Sequence, residues 1–235
     1  LTDVTGVQTC ALPIFITIGI LSFLICGCKK DEDKAIIDSD GNVYTSVTIG
    51  AQVWMVENLK TTRFNDGTAI PLVTDEEAWA ALYTPGYCWY FNDSATYKSD
   101  FGALYNWYSV NTGKLCPKGW HVPSDDEWLA LIAYLGGADV AGGKLKESGT
   151  DHWKSPNTGA TNSSGFSALP GSGRTYLGTY HPKGGSSGYW WTSTPGDAWH
   201  SGNAVNFDIQ YDATNVYRHD ENKKESGKSV RCLRD

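Results

Sequence analysis

The chain has a single methionine, Met55, and no charged residue between Asp3 and Lys29. It also lacks a transmembrane helix signal there. The apolar run over residues 15–25 falls well short of the roughly 20 residues that a span requires and has the length of a signal-peptide core. Metal and nucleophile motifs are missing too. The five histidines, His121, His152, His181, His200 and His219, show no i, i+4 pair and no HExxH pattern. No serine sits in a strand-to-helix nucleophile elbow, and there is no phosphate loop. Basic residues are the minority, with 19 Lys and Arg against 26 Asp and Glu and a net charge of -7. That balance leaves no cationic face for nucleic acid.

What is present begins at Ile25-Cys26-Gly27-Cys28, which closes the apolar run and opens onto Lys29-Lys30-Asp31-Glu32-Asp33. The junction reads as a bacterial lipoprotein signal, because small Gly27 suits a peptidase that cuts just before a lipidated Cys28. Residues 15–27 are then a truncated signal peptide and residues 28–37 a lipid-anchored tether. Residues 4–14, VTGVQTCALPI, resemble the in-frame translation of a sequencing-library adapter, so residues 1–14 are expected to be an assembly artefact. The remaining residues, 38–235, are expected to fold as one domain of an outer-membrane lipoprotein. It would touch the membrane only through its lipid and be exposed at the cell surface.

Export to an oxidising compartment changes the reading of the cysteines. With Cys10, Cys26 and Cys28 assigned to artefact, signal and anchor, three remain: Cys88, Cys116 and Cys232. An odd number leaves at least one unpaired. The favoured bridge is Cys116–Cys232, with Cys88, between Tyr87 and Trp89, a buried thiol; Cys88–Cys116 is the alternative. Aromatics make up 13% of the chain, including 10 Trp and 13 Tyr, so large rings are expected to build much of the core.

Local patterns predict mixed structure. Asp40-Gly41 marks a turn before a strand over residues 43–49, and Gly50 separates it from a second strand over 52–57. Thr74 and Glu77 form a capping-box pattern ahead of a short helix. Asp100 is read as the cap of a helix carrying Leu104, Trp107 and Tyr108. Ser124 and Glu127 form a second box, followed by Trp128, Leu131, Ile132 and Leu135 at helical spacing and by the stop Gly136-Gly137. Residues 148–188 are rich in Gly, Ser, Asn, Thr and Pro and read as irregular, pinned by Phe166, Leu169 and Tyr176. Strands follow over 189–194, 204–209, 215–219 and 228–233. Helices early and consecutive strands late make the fold class α+β.

Several segments together resemble the Fibrobacter succinogenes major paralogous domain. They are Asp40-Gly41-Asn42-Val43-Tyr44, residues 52–59 (QVWMVENL), Tyr87-Cys88-Trp89-Tyr90, residues 102–108 (GALYNWY), residues 116–125 (CPKGWHVPSD) and Ser229-Val230-Arg231-Cys232-Leu233. The resemblance spans residues 38–235 and implies a C-type lectin-like fold, similar to formylglycine-generating-enzyme relatives. It implies two main helices, small twisted antiparallel sheets and a long loop region that carries the binding face. It brings no defined activity. The late cysteine pair with which formylglycine-generating enzymes bind copper is absent, since only Cys232 lies in the last third, so the chain is expected not to be an enzyme.

Calcium has one partial motif, Asp38-Ser39-Asp40-Gly41-Asn42, with Asp38, Asp40 and Asn42 as oxygen donors. It lacks the distal Glu of an EF-hand, and neither Glu-Pro-Asn nor Gln-Pro-Asp occurs, so no cofactor is expected. The C-terminal strands interleave rings with hydrogen-bonding groups, a mixture that suits ligand surfaces. Trp190, Trp191, Trp199, Phe207, Tyr211, Tyr217 and His219 are the expected ligand-binding residues. The expected function is a non-catalytic binding module for an extracellular glycan or protein. The alternatives are an enzyme of unknown reaction on the same scaffold, and an adhesion or receptor protein diversified by a retroelement over residues 206–220.

Overall fold

The computed structural model describes residues 35–181 and 184–235. The expected artefact over residues 1–14, the expected leader over 15–27, the expected lipidation site Cys28 and most of the expected tether lie outside the described residues. No helix among the described residues is long and apolar enough to cross a membrane.

The first strands are short: β1 (Ile36–Ile37) pairs with β2 (Val43–Tyr44) across the Asp40-Gly41 turn. A hairpin follows, β3 (Ser46–Ile49) against β4 (Gln52–Met55). The chain's last strand, β11 (Leu233–Arg234), lies between β4 and β7 (Trp120–His121) in a four-stranded sheet, order β3-β4-β11-β7. The Cys116–Cys232 disulfide ties the approach to β7 to the approach to β11, and Cys88 is free and buried. A second sheet has the order β10-β9-β8, from β8 (Ser187–Pro195), β9 (Asn203–Gln210) and β10 (Val216–Lys223), all antiparallel. A small pair, β5 (Tyr87–Cys88) and β6 (Leu104–Tyr105), completes the strands. With five short α-helices among the described residues the architecture is α+β, as expected.

The helices show where local signals suffice. In α4 (Asp125–Tyr134) the Ser124–Glu127 capping box forms in both directions, and Trp128, Leu131 and Ile132 face inward. Elsewhere the caps shift. The first helix, α1 (Glu76–Ala80), is capped by Asp75 rather than Thr74, because the Asp75 carboxylate accepts from the Ala78 N–H at 2.8 Å. Asp100 caps nothing: it lies inside α2 (Ser94–Phe101), whose cap is Asp93. Leu104 belongs to β6, and Trp107 and Tyr108 open α3 (Trp107–Val110) under an Asn106 cap. The strand expected over 228–233 is regular only at Leu233–Arg234; upstream it makes single bridges, Trp190 to Ser229 among them.

Rings join helix and sheets. Trp128 of α4 stacks on Phe207 of β9 at 5.1 Å between centroids and meets Trp54 of β4 edge-on at 5.1 Å. Phe166 and Trp190 close the cluster against Trp128 at 5.8 and 6.2 Å. Of the expected loop pins, Phe166 is fully buried, but Leu169 is half-buried and Tyr176 exposed; Trp153 is the second buried ring of that region.

Buried cations hold the rest of the loop region. The Lys146 ammonium donates to the carbonyls of Thr158, Gln210 and Ala213 at 2.9, 3.1 and 2.8 Å and lies over the Trp153 ring. Arg174 donates to the carbonyls of Gly178, Val73, Thr74 and Asp75 and lies 4.6 Å from the Trp79 ring. Arg231 reaches the Phe166 carbonyl and the Asn58 amide oxygen beneath the Phe166 ring. Carbonyl dipoles and ring faces take the place of carboxylate partners for these charges. Each cation replaces several ladder hydrogen bonds that irregular chain cannot make.

Candidate functional site

β9 is the central strand of its sheet, and its side chains alternate between two buried faces. Val205, Phe207 and Ile209 enter the aromatic core. Asn206, Asp208 and Gln210 point the other way. The register sets Trp191, Asn206 and His219 in one row across the sheet and Tyr189, Asp208 and Tyr217 in the next. Chain around Ser229 runs parallel beside β8 and sends Lys228 over this second face, 4.9 Å from the Tyr189 ring and 5.0 Å from the Trp191 ring.

The result is a pocket of about 230 Å³. Asn206, Asp208 and Gln210 of β9, Tyr189 of β8 and His219 and Asn222 of β10 line it, with Lys228 and His181. Asp208, though almost wholly buried, contacts the half-exposed His219 Nε2 and accepts from Gln210 Nε2 at 3.2 Å. Lys228 is 3% exposed and donates once, to Asn222 Oδ1 at 3.3 Å. Asn206 is 0% exposed, and neither its amide nitrogen nor its amide oxygen has a hydrogen-bond partner. His181 stacks on Tyr189 at 5.3 Å and 25°. Burial pushes the Lys228 ammonium down to about 8, against the opposing pull of Asp208. Burial and the Lys228 charge lower His181, and burial raises Tyr189.

The expected ligand residues fare unevenly. Trp190 and Phe207 lie on the core face of the sheet, fully buried, and offer nothing to a ligand. Trp191 lies on the pocket face but beneath Lys228, and its indole N–H donates to the Tyr105 carbonyl at 2.9 Å. Tyr211 is half-buried and packs on the core. Tyr217 is half-buried in the row of Asp208, and Trp199 stands 92% exposed on the β8–β9 turn. His219 alone of the seven lines the pocket. Asn206, Asp208, Tyr189, His181 and Lys228 were not among the seven, although the strict alternation Val-Asn-Phe-Asp-Ile-Gln over 205–210 singles out a polar face. Within the segment proposed for diversification, Asn206, Phe207 and Asp208 are buried and Asp212, His219 and Asp220 are exposed.

The calcium motif is occupied by its own chain. Asp38 accepts from the Asp40 and Asn42 N–H groups, the Asn42 amide and the Tyr44 hydroxyl. Asp40 accepts from the Thr62 N–H and pairs with Arg63 at 3.4 Å, and Asn42 turns its amide nitrogen inward as a donor. These oxygens close a turn instead of facing a cation. Among the described residues no three His, Cys, Asp or Glu side chains are grouped to hold a metal. His121 is structural: Nδ1 meets Asp235 at 2.7 Å and Nε2 meets Glu127 at 3.0 Å.

A family model described as the Fibrobacter succinogenes major domain matches residues 47–234. No curated protein and no solved structure matches the chain.

Proposed function

Since the chain belongs to the Fibrobacter succinogenes major domain family, we propose that it is a non-catalytic binding module of the bacterial envelope, with a C-type lectin-like scaffold. Lipid on Cys28 tethers it, and the β8–β9–β10 pocket takes one sugar unit of an extracellular glycan. The observation that carries this reading is Asn206, a buried amide unpaired at both ends and lining a pocket. Buried polar groups are almost always bonded, so a partner from outside accounts for it. A volume of about 230 Å³ lies below the range for drug-sized ligands and suits a single small ring. The Tyr189–His181 stack adds a flat face beside hydrogen-bonding groups, a mixture that fits a pyranose.

The test is a glycan-binding screen with the purified protein and its Tyr189→Ala variant. Binding that falls at least tenfold in the variant supports the pocket. Binding that survives unchanged places the ligand elsewhere, and capture of proteins but no glycans makes a protein the ligand. Mass spectrometry of the native product is expected to find acylated Cys28; an unmodified thiol refutes the anchor.

One contact favours a second reading, an enzyme. Asp208 orients an imidazole, that of His219, at the pocket mouth, a pairing that serves general acid–base chemistry elsewhere. A His219→Ala variant that still binds ligand but loses a turnover shown by the parent would move the assignment there.

A further inference from the structure

The geometry points to an acidic sugar as the occupant: a ring bearing a carboxylate, held by Lys228, with a neighbouring hydroxyl on Asn206. This rests on the glycan-binding reading above and narrows it to a chemical class.

The molecule contains its own control. Lys146 and Lys228 are both buried ammonium groups lying near ring faces, at 0% and 3% exposure. An ammonium has three N–H donors. Lys146 spends all three on main-chain carbonyls at 2.8 to 3.1 Å. Lys228 spends one, at 3.3 Å, on the neutral amide of Asn222. Among the described residues no carboxylate lies within ion-pair distance of it. Asp208 is the acid of the same pocket, but its two oxygens accept from His219 and Gln210. A structural lysine in this fold is therefore fully bonded, and Lys228 is not. The missing partners are acceptor oxygens, and a carboxylate supplies them with the charge that offsets a buried cation.

Asn206 adds a second demand. Its amide lacks both an acceptor for its N–H and a donor for its oxygen. One hydroxyl meets both needs, since it donates and accepts. Asn206 and Lys228 line the same pocket, so a carboxylate and a hydroxyl on one small ring satisfy both side chains. Tyr189, stacked with His181, supplies the apolar wall. A phosphate or sulfate ester fits less well: its tetrahedral group offers more oxygens than one lysine and one amide can serve.

Titration calorimetry on the purified chain tests this with D-glucuronic acid and D-galacturonic acid against D-glucose and D-galactose, and with glucose 6-sulfate as a third arm. The acids are expected to bind at least tenfold more tightly than their neutral counterparts and than the sulfate. Lys228→Met is expected to erase that preference while the chain stays folded by thermal melting. Should it not fold, Asn206→Asp serves instead: it sets a carboxylate in the pocket with Lys228 and is expected to exclude the acids. Equal binding of acids and neutral sugars overturns the acidic class and leaves the glycan reading intact. Tighter binding of the sulfate also overturns it. Binding of none of the sugars removes both readings, and a preference that survives both variants removes Lys228 as its source.

Discussion

At the residue scale, the two buried lysines divide into one the fold completes and one it does not. Lys146 is saturated by carbonyl oxygens, and with Arg174 it fastens irregular chain as a disulfide or metal does in many small domains. Burial holds Lys146 and Lys228 both at about 8, below the ordinary lysine value of 10.5. A lowered lysine means that the unfolded chain binds more protons between those two values. Stability then rises with pH from about 8 towards 10, as the folded ammonium groups shed protons more readily than the unfolded ones. Denaturant melts across that window are expected to show the rise and a smaller one in Lys228→Met. His121 runs the other way. Burial pulls it down, but the hydrogen bonds to Asp235 and Glu127 outweigh that and raise it. Its stabilisation is full below 6.5 and fades as pH climbs through the raised folded value. His121→Asn is expected to flatten that part of the profile.

At the scale of elements, β9 explains why Phe207 and its neighbour Trp190 are not the ligand-facing rings that the sequence led one to expect. A strand with one wet face would show half its rings to solvent, but β9 is buried on both. Phe207 and Trp190 fill the core with Trp128, so Trp190→Ala is expected to cost about 3–5 kcal/mol in a denaturant melt. A loss below 1 kcal/mol would argue against that packing. The second face is closed by Lys228, which lies past the end of β10 and leaves no mark on the pattern of β9 itself. What was legible was local or nearly so: the Ser124–Glu127 box, the hairpin around Gly50, and the run of late strands. The helix α5 (Ala138–Leu145) was not, since it carries two poor helix formers, Gly142 and Gly143, near its end. They are there for contact: a Cβ on Gly142 would lie 2.3 Å from the Asn215 carbonyl, and one on Gly143 2.5 Å from that of Gly159. Gly142→Ala is expected to lower Tm by pushing α5 off the chain that leads into β10.

At the scale of the molecule, the two ends of the domain meet. β11 closes the sheet begun by β3 and β4, and the disulfide spans 116 residues. The expected leader and the odd count left two pairings open in the sequence, and the fold forms the favoured one, Cys116–Cys232. Replacing Cys116 and Cys232 together by Ala is expected to cost about 4–5 kcal/mol on the chain-entropy view. Cys88, with its thiol pushed up to about 11 by burial, is expected to resist alkylation in the folded chain. Of the pocket, only the polar face of β9 was legible; His181 before β8 and Lys228 after β10 reach it through irregular chain that carries no local pattern.

The thermal melt of Asn206→Leu, read beside ligand binding, tests the pocket most directly. A polar side chain kept for a ligand costs the empty fold about 1–3 kcal/mol at an unpaired buried amide. The apolar replacement is therefore expected to raise Tm and abolish binding together. A drop in Tm with binding retained would mean that Asn206 serves the fold, and that the β8–β9–β10 pocket holds no ligand.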